Sequence, residues 1–71
     1  MMQSSFSESD PRYHTQKIKG MFDELIAHLR EDIENVDEPQ AKALFETSAE
    51  VITGLRRTFE HYEKGSEEAW R

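Results

Sequence analysis

Cysteine is missing from all 71 residues, so the chain has no disulfide framework, no thiolate zinc site and no cysteine nucleophile. A domain this short often relies on such staples, and without them its stability has to come from packing alone. No apolar run approaches the ~20 residues that a membrane-spanning helix needs. The opening stretch MMQSSFSESDP carries neither the basic nor the apolar region of a secretory signal, and a cytoplasmic location without membrane contact is the expectation. Glycine is scarce, with three residues, and no Gly-rich phosphate loop, nucleophile elbow or His-Glu-x-x-His zinc motif is present. Neither an enzyme nor a cofactor is expected.

What the chain does have is charge and apolar periodicity. Charged residues make up 34% and hydrophobic ones 35%, with 15 acids against 9 bases for a net charge of -6. An acidic balance with pI ≈ 4.9 favours solubility and disfavours nucleic acid, because a phosphate backbone rewards clustered Lys and Arg. The length allows one small domain.

Residues 1 to 9 are mostly Ser, Glu, Gln and Met around Phe6, a composition that predicts a flexible tail. Asp10 before Pro11 marks a helix start: the carboxylate accepts from free N–H groups of the first turn, and proline at the first helical position loses no hydrogen bond. From there Ile18, Met21, Phe22, Leu25, Ile26, Leu29, Ile33 and Val36 recur at spacings of three and four, within an arc of about 140° on a helical wheel. Pro39 disfavours continuing that helix. Asp37 is the expected cap of a second, with Gln40 reaching back as in a capping box. Ala41, Leu44, Phe45, Ser48, Ile52, Leu55, Phe59 and Tyr62 form its apolar stripe, which Gly65 closes in a left-handed cap. Residues 66 to 71, with Trp70, are expected to be frayed or briefly helical.

Two helices joined by so short a turn run antiparallel, with residues whose numbers sum to about 77 level with each other. That register sets Phe22 opposite Leu55, Leu25 opposite Ile52 and Ile18 opposite Phe59. The predicted fold is an all-α antiparallel hairpin over residues 10 to 65. Two helices touch along one line, so an arc of about 140° leaves Met21, Ile26 and Ile33 partly in water unless another surface covers them. A second copy supplies that surface, and dimerisation into a four-helix bundle is expected. The residues expected to fill the dimer core are Ile18, Met21, Phe22, Leu25, Ile26, Leu29, Ile33, Leu44, Phe45, Ile52, Leu55 and Phe59. Ser48 and Ala49 are small enough to let helices approach closely.

Three polar constellations carry alternative functions. Glu24, His28 and Asp32 form an i, i+4, i+8 row that would suit a metal ion or a proton relay; a surface hydrogen bond between His28 and a flanking carboxylate is the plainer reading. A di-iron bundle is excluded, because neither His28 nor His61 has the glutamate three residues earlier that the motif needs. Arg12, Lys19 and Arg30 line one flank of the first helix and would serve an RNA-binding regulator, although Asp23 and Glu34 dilute them. His14 and Tyr62 are expected level at the open end, with Asp10 within reach of His14. The function that follows is protein-protein interaction by a homodimer, with a regulatory role and a further protein partner left open. An RNA-binding regulator and a metal-binding bundle are the alternatives.

Overall fold

In a computed structural model the described residues, 8–65, form α1 (Pro11–Asn35) and α2 (Pro39–Lys64), packed against each other as a hairpin. Among them there is no strand, and no helix is long and apolar enough to cross a membrane. Of the expected tails at 1 to 9 and 66 to 71, residues 1 to 7 and 66 to 71, Phe6 and Trp70 included, lie outside the described residues. Glu8 and Ser9 form a turn leading into the first helix.

Local chemistry sets the helix ends. The Asp10 carboxylate accepts from the Arg12 backbone N–H at 2.9 Å, with Pro11 opening the first turn. Val36 leaves the helix in an extended conformation while its N–H still donates to the Asp32 carbonyl at 3.0 Å. The second helix starts differently from expectation. Its N-cap is Glu38, whose side chain makes no capping bond, and the Asp37–Gln40 box does not form. Proline explains the shift: with φ already fixed at a helical value, Pro39 takes the first helical position and the cap falls one residue later. Gly65 ends the hairpin at φ 63° and ψ 22°, donating to the Tyr62 carbonyl. Lacking a Cβ, glycine takes that left-handed conformation without the clash most other residues meet there. Lys64 in the last turn places a positive charge at the negative end of the helix dipole.

The register follows side-chain direction. Phe22 packs edge-on against Phe59, ring centroids 5.2 Å apart, rather than against Leu55. Thr15 and Lys19 meet Glu63, and Asp23 meets Arg56. The numbers of these pairs sum to about 80 instead of 77, because a helical side chain leans toward its own N-terminus and antiparallel partners lean toward each other.

Ala49, 1% exposed, is the one fully buried residue among those described. It lies on the same row of α2 as half-buried Phe45, Ile52 and Phe59. The two helical glycines are not close-approach residues. A Cβ built at Gly20 or Gly54 meets nothing within 4 Å. Gly20 is also exposed, so Gly20→Ala is expected to stabilise the fold by about 1 kcal/mol through helix propensity, read as a higher urea midpoint at unchanged slope.

Candidate functional site

The apolar residues of each helix divide into two adjacent rows. The inner row of α1 runs through Phe22, Ile26, Leu29 and Ile33, and that of α2 through Phe45, Ala49, Ile52 and Phe59. All are half-buried or buried against the opposite helix. One residue before each inner position lies a second row. On α2 it is Leu44, Ser48, Val51, Leu55, Thr58 and Tyr62, at alternating spacings of four and three. On α1 it is His14, Ile18, Met21, Leu25, His28 and Asp32, with the same alternation. Such spacing is the signature of a helix seam that keeps facing one partner over many turns.

Both outer rows lie on the same side of the hairpin. A step back of one residue rotates the row by about 100° on each helix, and because the helices are antiparallel the two rotations have opposite senses in space. A groove at the open end bears this out, since it is lined together by Pro11 and Thr15 of α1 and Thr58, Phe59 and Tyr62 of α2, with a volume of about 270 Å³. The large exposed apolar side chains cluster on this side: Met21 is 62% exposed, Leu44 61%, Val51 57% and Leu55 44%. Leu25 and Tyr62 belong to the same rows and are also exposed. The opposite side carries Asp23, Arg30, Glu34, Glu46, Glu50 and Arg57, all exposed. One face is apolar and the other charged.

The expected core therefore separates. Ile18, Met21, Leu25, Leu44 and Leu55 belong to the outer face, while Phe22, Ile26, Leu29, Ile33, Phe45, Ile52 and Phe59 belong to the hairpin's own contact. Of the three residues expected partly in water, Met21 is strongly exposed, whereas Ile26 and Ile33 are half-buried toward α2, and Leu25 joins Met21 outside. Val51 was missed because it lies beside the single stripe assumed for α2. Its signal was the alternating spacing it completes with Leu44 and Leu55.

A polar cluster closes the open end of the inner row. Lys19 Nζ donates to Glu63 Oε1 at 2.6 Å, and the Thr15 hydroxyl donates to Glu63 Oε2. Both charged side chains are largely covered, at 16% and 12% exposed. Burial by itself would raise the Glu63 pKa, but the hydrogen bonds from Lys19 and Thr15 outweigh it and hold the carboxyl below the usual 4.5. On the charged side Arg56 bridges Asp23 and Glu60, and its hydrogen bond lowers the Glu60 pKa. A depressed folded-state pKa contributes stability above the unfolded value and loses it as the pH falls through the folded one. The melting temperature is accordingly expected to hold from neutral pH down to about 5 and to fall below about 4.5. Glu63→Gln should flatten that fall and cost about 1 to 3 kcal/mol at pH 7, because it leaves a covered ammonium without its counter-charge.

The alternative sites are placed as follows. His28 Nδ1 lies 2.9 Å from Asp32 Oδ2 on the surface, and Glu24 takes no part in that contact. Among the described residues no group of three or more His, Asp or Glu side chains is arranged to hold a metal ion. In the basic flank, Arg12 is paired with Asp10 at 3.2 Å and Lys19 with Glu63, leaving Arg30 exposed between them and the turn. Lys19 is turned into the hairpin, whereas Arg12 stays exposed beside Asp10 at the helix start. His14 Nε2 donates to the Glu8 carbonyl at 2.7 Å, not to Asp10, and its ring meets Tyr13 edge-on at 5.1 Å. Comparison with known protein families, curated proteins and solved structures found no match.

Proposed function

We propose that the protein is a homodimeric four-helix bundle that acts through protein-protein interaction, the outer face of one hairpin packing on that of a second copy. The observation that carries this reading is the exposed apolar patch itself: two seams side by side, apolar at Ile18, Met21 and Leu25 on α1 and at Leu44, Val51, Leu55 and Tyr62 on α2, with Met21, Leu44 and Val51 each more than half exposed. A face about 40 Å long, at 1.5 Å per residue over the helices, and about 20 Å wide is about 800 Å² on each partner, the size of a standard stable interface. A second copy matches it in length, seam spacing and apolar character at once. One hairpin with a single buried residue among those described encloses too little to fold cooperatively alone, so assembly and folding are one process. The charged face remains outside the bundle, where a further protein partner would meet it.

Native mass spectrometry at neutral pH tests the assembly. A species of twice the 8.3 kDa chain mass is the expected result, and a monomer alone would contradict it. Salt-sensitive retention on RNA by the dimer would favour the regulator that uses Arg12, Lys19 and Arg30. A stoichiometric metal lost in His28→Gln would favour the metal-binding bundle.

A further inference from the structure

The groove at the open end of the hairpin has dry walls. The Thr15 hydroxyl donates to Glu63 and the Thr58 hydroxyl to the Gly54 carbonyl, so what the two threonines offer the groove is methyl surface. Beside them lie Pro11, Phe59 and Tyr62, the last 38% exposed. A space of about 270 Å³ with such walls gives nothing to a charged or hydrogen-bonding group. It suits one apolar side chain, best an aromatic ring that packs on Phe59 and Tyr62.

The chain itself leads such a side chain there. Glu8 and Ser9 turn ahead of α1, and His14 Nε2 donates to the Glu8 carbonyl at 2.7 Å. On the helical wheel His14 stands about 60° from Pro11, and Pro11 about 40° from Thr15, so the bond draws Glu8 back beside the first turn of α1, next to the groove. Phe6 lies two residues earlier. Two residues span at most about 7 Å, close to the distance of about 6 Å that separates Pro11 from Thr15 along the helix. Phe6 is also the one aromatic residue before Pro11, set between Ser5 and Ser7, whose hydroxyls dry walls would not satisfy. Trp70 leaves from the same end of the hairpin but stands five residues past Gly65, and the longer link concentrates it less at the groove.

We infer that the groove takes Phe6 of the same chain, the N-terminal segment folding over the open end so that its ring packs among Pro11, Phe59 and Tyr62. Composition reads residues 1 to 9 as a flexible tail, whereas the groove and the bond from His14 give that segment one anchored side chain. Met21, Leu25, Leu44, Val51 and Leu55 do not line the groove, so the inference does not depend on a second copy.

The full chain with Phe6→Trp and Trp70→Phe carries a single indole, at position 6, and tests the docking by fluorescence. Its emission is expected to lie to the blue of free indole and to resist acrylamide. Adding Thr58→Asp, which sets a carboxylate in the groove wall at an exposed position, is expected to return the emission to the free value with helicity unchanged. Phe6→Ala in the otherwise unchanged chain is expected to lower the melting temperature by about 5 °C, and to have no effect once Thr58→Asp is present. An indole as accessible as the free one, shielding that survives Thr58→Asp, or a melting temperature indifferent to Phe6→Ala overturns the inference. The other occupants have outcomes of their own. Refolded together with a large excess of Thr58→Asp chain, the indole stays shielded if it sits in its own groove; exposure on mixing assigns the groove to the segment of a second copy and overturns docking within the chain. In the parent chain, shielded Trp70 emission that Thr58→Asp exposes gives the groove to the C-terminal segment and overturns it too. The mass of each sample reports on the dimer separately: a shielded indole at the mass of one chain supports this inference while contradicting the dimer.

Discussion

Leu25→Glu is expected to abolish the dimer and most of the helix together. In one hairpin Leu25 is 47% exposed, so if the hairpin were the final structure, a glutamate there would turn to water at a cost of about 1 kcal/mol in lost apolar contact. In the proposed bundle the same substitution sets two unpaired carboxylates, one from each copy, inside the apolar interface. Each costs several kcal/mol to desolvate, and a total above about 4 kcal/mol weakens the dimer by about a thousandfold. The proposed coupling of folding to assembly makes helicity follow. Far-UV circular dichroism and light scattering at micromolar concentration are expected to show a monomer with less than half of the parent helicity. Ala27→Glu, on a surface position outside both apolar rows, should leave mass and helicity as they are. A Leu25→Glu protein that keeps its helix and its mass would count against the bundle.

Ala49→Leu is expected to produce the second large effect, by a different route. Ala49 is 1% exposed at the hairpin's own contact, between Phe45 and Ile52 on the inner row. Three added heavy atoms have no void to enter, so either the helices separate or neighbouring side chains leave their rotamers, at about 1 to 3 kcal/mol. For a chain of this size that lowers the melting temperature by about 10 °C per copy-equivalent of 2 kcal/mol. Ala43→Leu on the exposed surface of α2 should change it little. A melting temperature unaffected by Ala49→Leu would mean that α1 and α2 do not meet there.

The parts of this architecture that could be read from the sequence are those decided within a few residues. Asp10 with Pro11, the three-and-four spacing of the apolar residues and Gly65 each act through a neighbouring turn, and each appears where expected. The cap of α2 was misplaced by one residue because Asp37 and Gln40 offered a side-chain solution, while Pro39 supplied a backbone one that dominates. The pairing of Phe22 with Phe59 was not legible in a register counted on the backbone, since the lean of the side chains adds most of a turn between antiparallel partners. The division of the apolar arc into two rows was harder still. On a helical wheel Leu25 and Ile26 lie about 100° apart, and only the position of the other helix assigns Ile26 to the inner contact and Leu25 to the outer face. The ion-pair partners of Arg12 and Lys19 were not legible either, since Asp10 lies two residues before Arg12 and Glu63 lies across the hairpin from Lys19.

Sedimentation equilibrium and circular dichroism on the same samples, diluted from about 100 μM to about 0.1 μM, test the coupling of assembly to folding most directly. The mass is expected to fall from two chains to one, and the helical signal to fall along the same curve. A monomer of 8.3 kDa that stays fully helical at every concentration would contradict the account.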